Sequence, residues 1–298
     1  MNTDDTRLAE AAAASGSTLR IDPLSEHTGA ECRAVDLKHL LPGEWERLQQ
    51  AYRRYSLLVV RDQDLPKADQ LAFTARFGEL ELPIRQDYVG KDFAGLHVVS
   101  NRGPDGRPSP LKGLENPGNF FWHSDASYMK RPASATLLYA IEIPPSGGDT
   151  LFANMHAAYE ALPPATRERI ATLKAIHSWE VSRHNSGSRA ASAEEIRLAP
   201  PVAHPLVRTH PETGRKGLYL GNHTSHIEGM DVDEGRRLLR ELLEHATQPQ
   251  FVYRHRWRAG DIVVWDNRSL LHKATDDFDM GECTRVLHRT VVQGTVPV

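Results

Sequence analysis

Short apolar runs broken by Gly and Pro turns recur along this 298-residue chain, and they restrict it to folds assembled from many small strands. Such runs lie at Ser56–Arg61, Leu96–Asn101, Thr136–Ile143 and from Thr150 onward. Beyond Pro201 the pattern is mostly β, with strands expected at Pro205–His210, Gly217–Leu220, Phe251–Trp257, Ile262–Asp266 and Thr284–Val292. Helical spacing is confined to a few stretches. Pro42–Tyr55 places Trp45, Leu48 and Tyr52 on one face, and Asp233–Thr247 is amphipathic. Two helical segments flank Pro163-Pro164, and Asp64 is expected to cap a helix that carries Leu71, Phe73 and Phe77 and stops at Gly78. The pattern predicts a mainly β fold with flanking helices, a sandwich or barrel of jelly-roll type.

No repeat or biased linker divides the chain. Residues 18–298 are expected to form one domain, and the first 17 a frayed tail without the basic start and long apolar core of a signal peptide. Mobile lids are expected near 81–118 and 183–200. The first holds eight Gly or Pro between Arg102 and Gly118; the second is rich in Ser and Ala. A net charge of −3 gives no electrostatic reason to expect nucleic acid or an anionic membrane, and no apolar run approaches the length of a spanning helix. Two cysteines are too few for a disulfide framework, which fits a reducing cytoplasm.

Histidine is over-represented, with 15 in the chain. Three His-x-acid pairs occur, His123/Asp125, His210/Glu212 and His226/Glu228, where 15 histidines and 39 acids would supply about two by chance. Context separates them. His210 belongs to a Pro-Glu-Thr-Gly turn, where polar residues are required anyway, and Glu228 next to Gly229 is expected to face water. His123 instead follows Phe120-Phe-Trp122 and precedes Tyr128, an aromatic wrap that excludes water. In an extended segment residues i and i+2 point to one side, so His123 and Asp125 can chelate one ion. The best third ligand is His272, downstream of the apolar strand Ile262–Trp265; the rival His288 falls on the opposite face of its strand from Arg285 and Arg289. Two imidazoles and a carboxylate are the donor set of non-haem Fe(II) oxygenases.

Alternation puts Arg285, Leu287 and Arg289 on one face, with the arginine Cα atoms roughly 13 Å apart. That span suits two anions flanking a metal better than one small carboxylate. Thr150 and Asn119 are candidate neutral donors beside them.

Together these residues resemble the taurine dioxygenase / 2,4-dichlorophenoxyacetate dioxygenase family of Fe(II)- and 2-oxoglutarate-dependent enzymes, from about Leu58 to Val292. The resemblance is carried by Trp122-His-Ser-Asp125, Gly147-Gly-Asp-Thr-Leu151, Trp265-Asp-Asn-Arg268 leading to His272, and the Arg285/Arg289 pair. The runs Gly221-Asn-His-Thr-Ser-His-Ile-Glu-Gly229, Leu242–Thr247 and Phe251–Trp257 bring it nearest to the phenoxyacetate branch.

The resemblance implies a double-stranded β-helix (cupin-like), iron held by His123, Asp125 and His272, and 2-oxoglutarate held by Thr150 and Arg285. It gives Arg289, with Asn119 near it, to the acidic head of a small anionic substrate. It further implies a homo-oligomer whose reaction uses O2 and hydroxylates an aryloxyacetate such as 2,4-dichlorophenoxyacetate beside the ether oxygen, releasing a phenol and glyoxylate. Taurine users carry a His and a Tyr after the Phe-Gly-Glu turn, where this chain has Glu81-Leu-Pro-Ile-Arg-Gln-Asp87. A taurine, alkylsulfonate or alkyl-sulfate dioxygenase, and a non-catalytic cupin-like metal binder, are the competing readings.

Overall fold

The computed structural model describes residues 17–82 and 93–298. The expected tail therefore lies outside the described residues except for Ser17, as does the part of the first expected lid at 83–92. In chain order the elements are β1 (Arg20–Pro23), β2 (Ala30–Arg33), α1 (Pro42–Tyr55), β3 (Leu57–Val60), α2 (Lys67–Ala75), β4 (Leu96–Ser100) and α3 (Pro110–Gly113). There follow β5 (Ala133–Glu142), β6 (Thr150–Asn154), α4 (Met155–Glu160), α5 (Pro164–Ile170), β7 (Lys174–His177), α6 (Trp179–Asn185) and α7 (Ala193–Leu198). The last third holds β8 (Val202–Pro205), β9 (Val207–Thr209), β10 (Lys216–Leu218), β11 (Thr224–Ile227), α8 (Val232–Ala246), β12 (Val252–His255), β13 (Ile262–Asp266), β14 (Leu270–Ala274) and β15 (Val286–Gln293).

The result is mixed helix and sheet, with several sheets. Seven strands form the largest in the order β1-β2-β3-β13-β5-β15-β4, and β12-β6-β14 form a second. Pairing is antiparallel throughout except for β2 against β3. Period-two alternation gives the large sheet two apolar faces. Leu58, Val60, Leu137 and Val264 pack with Leu48 and Tyr52 of α1 and Phe73 of α2. Leu57, Val59, Val263, Trp265 and Leu287 point the other way, onto Phe152 and Leu270 of the second sheet. A third cluster packs α4 and α8 behind that sheet. The site lies between the two sheets.

One helix starts later than expected. Pro66, not Asp64, occupies the N-cap position of α2, with no side-chain cap, and Phe77 falls beyond its end. The residue before a proline is disfavoured in the helical region, so Leu65 lies outside the helix, which begins only after Pro66. Both segments expected to be lids contain helix: α3 lies in the first, part of α6 and all of α7 in the second. Among the described residues no helix is long and apolar enough to cross a membrane.

Cys32 is fully buried on β2, and burial pushes its thiol up to about 12; Cys283 is partly exposed, and both are free. At mildly alkaline pH a thiol reagent should label Cys283 alone in the native chain and Cys32 only on unfolding. Prompt labelling of both would contradict the burial of β2.

Candidate active site

His123 and His272 face each other across two backbone hydrogen bonds, His123 N–H to His272 O at 3.1 Å and His272 N–H to His123 O at 2.9 Å. This antiparallel contact joins the segment before β5 to β14 and puts both imidazoles on one side, their ring centres 4.2 Å apart. Asp125, two residues on, turns its carboxylate toward them: His123 Nε2 lies 3.8 Å from Oδ1 and His272 Nε2 3.7 Å from Oδ2. All three residues are buried, and one donor atom from each lies within 4.8 Å of the others.

The rest of the shell fixes these atoms. His123 Nδ1 lies 2.8 Å from Phe121 O, which directs Nε2 at the cluster. His272 is set by packing, its ring tilted against Trp265 and stacked on Phe152. Thr136 Oγ1 donates to Asp125 Oδ2 at 2.6 Å, and Asn267 Nδ2 donates to that Thr136 hydroxyl at 2.9 Å. Asn267 Oδ1 accepts from the Asp125 backbone N–H and from Trp265 Nε1. Burial holds both histidines below their ordinary pKa, hence neutral. Burial opposes ionisation of Asp125, but Arg289, His272, His123 and the Thr136 hydroxyl together hold its carboxyl below the usual range. Neutral imidazoles beside an ionised carboxylate are in the state a metal requires. The donors therefore fit a hard or borderline divalent cation with open positions.

The seven residues singled out in the sequence, His123, Asp125, His272, Thr150, Arg285, Arg289 and Asn119, all line one cavity of about 210 Å³. Arg285 reaches it past Gly148, where a Cβ would stand 3.1 Å from the arginine Cδ, and its Nε donates to Gly148 O at 2.8 Å. Burial drops its pKa to about 10, against the pull of Asp149. A guanidinium kept in such a place favours an anionic partner. Thr150 Oγ1 accepts from Trp257 Nε1 at 3.0 Å, which leaves its own proton free to donate. Arg289 Nη2 lies 2.6 Å from Asp125 Oδ1. His288 points to the other face of β15, toward Tyr139.

Sequence reasoning passed over several cavity residues. Glu81 is pushed up to about 7 by burial, against the pull of Arg289, and its Oε2 has no hydrogen-bond partner among the described residues. His223 Nδ1 lies 2.9 Å from Ser127 Oγ, and burial lowers its pKa to about 3. Its position inside the Gly221–Gly229 run was the one available signal. The other two His-x-acid pairs stay out of the cavity. His210 is not at the surface as its turn suggested: it is buried, Nε2 2.9 Å from Asp266 Oδ2. The buried Asp266 carboxylate, also held by Arg268, gives it a reason to turn inward. Glu228 is exposed as expected.

A buried His–Asp–His cluster lining a cavity, with a buried arginine beside it, has the donor set of a mononuclear non-haem metal centre of the oxygenase class. The model of the taurine catabolism dioxygenase TauD, TfdA family matches residues 20–291, and the chain belongs to that family. It is 44% identical over 240 residues to the alpha-ketoglutarate-dependent 2,4-dichlorophenoxyacetate dioxygenase of Burkholderia sp. (strain RASC), covering 78% of this chain and 81% of that one. It is 38% identical over 284 residues to the (S)-phenoxypropionate/alpha-ketoglutarate-dioxygenase of Sphingobium herbicidovorans, covering 91% and 94%. Among solved structures, AAD-2 in complex with Mn(II) and N-oxalylglycine superposes with a TM-score of 0.84 at 42% identity, covering 94% of this chain and 98% of that one.

Thr136→Val keeps the shape and removes the hydroxyl that orients Asp125. It should weaken Mn(II) binding roughly 10–100-fold, the usual cost of losing such an outer-shell partner, in a titration followed by Mn(II) electron spin resonance. Unchanged affinity would mean that Thr136 only fills space.

Proposed function

We propose that the chain hydroxylates a small aryloxyacetate, of which 2,4-dichlorophenoxyacetate is the type, at the carbon beside the ether oxygen. The observation that carries this reading is the pair Arg285 and Arg289, both lining the cavity of the His123–Asp125–His272 cluster. The reaction class is that of a 2-oxoglutarate-dependent non-haem iron dioxygenase, with Fe(II) as the metal and O2 as oxidant.

In this reading His123, Asp125 and His272 hold the metal. Bound iron supplies the activation of O2 and the oxidative decarboxylation of 2-oxoglutarate to succinate and CO2. Arg285 and the Thr150 hydroxyl hold the far carboxylate of 2-oxoglutarate, and Arg289 with Asn119 holds the acid of the substrate. The apolar wall of Leu138, Trp265 and Leu287 keeps water from the reacting carbon and strengthens the ionic contacts around it. Arg289 Nη2 pairs with Asp125 Oδ1, and the other N–H donors of its guanidinium are available to an acid. One oxygen atom enters a C–H bond next to the ether. The resulting hemiacetal breaks its C–O bond to the ring oxygen, which takes the hydroxyl proton and leaves as the phenol, and glyoxylate remains.

The same reading takes residues 18–298 as one catalytic domain on a double-stranded β-helix, with lids near 81–118 and 183–200. Supporting the lids, Asn116 and Asn119 of the first and Arg183 and Ser186 of the second border the cavity. It also takes the protein as a cytoplasmic homo-oligomer that engages neither nucleic acid nor membrane.

Anaerobic addition of Fe(II) and 2-oxoglutarate should give a visible charge-transfer absorption, shifted by aryloxyacetates in a screen that includes sulfonates and sulfate esters. A shift with sulfonates or sulfate esters alone would replace the substrate class, and no absorption at all would leave a non-catalytic metal binder. Asp125→Ala should abolish 2-oxoglutarate-dependent succinate release; wild-type release would overturn the metal assignment. Arg289→Ala should raise the KM of the acid substrate at least about tenfold, as expected for losing a charged hydrogen bond, while 2-oxoglutarate affinity survives. Equal loss of 2-oxoglutarate affinity would exchange the roles of the two arginines.

A further inference from the structure

The two-residue ladder that sets the histidines has a reverse face. Because His123 and His272 point toward the cavity, their neighbours Trp122 and Lys273 point away from it, and Lys273 Nζ lies 5.3 Å from the centre of the Trp122 ring. That face floors a groove of about 910 Å³. Phe121, 42% exposed, and Leu239 and Leu243 of α8 add to its apolar lining. Of the residues that line the groove, only Asn222 also lines the catalytic cavity, so the two spaces are distinct.

The groove is also cationic. Arg236 and Arg240, one turn apart on α8, border it with exposed side chains and make no ion pair among the described residues. With Lys273 they bring three cations to an aromatic floor, against a single acid, Glu180; His184 stands near it. A two-fold contact with its axis through this groove would set these cations against their own equivalents, which disfavours a second copy centred there as occupant. A concave apolar surface with a few convergent charges is the usual form of a small-molecule site.

We propose that this groove binds a small organic anion, its flat or branched apolar body against Phe121, Trp122 and Leu243 and its acid group at Arg236, Arg240 and Lys273. The proposal is independent of the reaction assigned to the cavity. The ligand would rest on the strand contact that carries both metal-binding histidines, and Phe121 supplies the carbonyl facing His123 Nδ1.

The test uses the full chain with Mn(II) and N-oxalylglycine bound, and anilinonaphthalene sulfonate as the probe anion, followed by its fluorescence. Saturable binding is expected. The double variant R236E/R240E should weaken it at least about tenfold, since two attractive charges become repulsive. Phe121→Ser, which keeps the charges and removes part of the apolar wall, should weaken it too. Arg289→Ala, in the other cavity, should leave it unchanged. Both groove variants change exposed side chains and should melt with the wild type. Absence of saturable binding, or binding indifferent to both groove variants, would overturn the proposal. So would loss in Arg289→Ala alone, which would locate the dye in the catalytic cavity. A change of sedimentation in R236E/R240E with dye binding intact would mark the face as a contact between copies and also overturn it.

Discussion

Two backbone hydrogen bonds between His123 and His272 are the constraint on which the site depends. They bring together residues almost 150 positions apart, and they do so through main chain, so the two side chains leave the backbone at a fixed spacing and toward one side. The rest is arranged around that contact. β14 is held in the second sheet by β6, which also carries Thr150. β13 sits at the centre of the large sheet, and the turn after it delivers Asn267 to Asp125. Trp265 and Phe152 meet between the sheets and leave one orientation for the His272 ring.

Within this frame charge is used sparingly. Burial opposes the charge on Asp125; Arg289, the two histidines and the Thr136 hydroxyl outweigh it. Burial keeps the histidines neutral and outweighs the pull of the nearby Asp125 carboxylate. The same desolvation that lowers the pKa of Arg285 makes it selective, because an anion there meets little competition from water. One physical setting thus prepares a carboxylate, two imidazoles and a guanidinium for different partners.

Much of this was legible in the sequence for physical reasons. Alternation along residues 284–292 placed Arg285, Leu287 and Arg289 toward one side, and the cavity contains all three. The helix Pro42–Tyr55 was bounded by its proline start and its apolar spacing, and its ends agree. His123 stood out among three similar pairs because aromatic residues surround it in sequence. What was not legible is non-local. The partner that draws His210 inward, Asp266, is 56 residues away, and nothing in a Pro-Glu-Thr-Gly turn announces it. Asn267 acts on Asp125 from the turn after β13 and Thr136 from β5, and neither residue type by itself announces that role. Glu81 enters the cavity because its backbone N–H donates to Val291 O on β15, a bridge without a local pattern. The late start of α2 was a misjudged competition, in which the steric demand of Pro66 outweighed a plausible cap at Asp64.

The ladder has one more consequence. Its hydrogen bonds belong to the main chain, whereas most of the cavity wall comes from side chains on other elements. A wall residue that does not touch the two rings can therefore be exchanged, or a bordering loop lengthened, without disturbing the backbone spacing of the two histidines. The fold separates what must stay constant for oxygen chemistry from what can drift toward a new molecule, so selection can revise substrate choice in small steps while the reactive centre remains in working order.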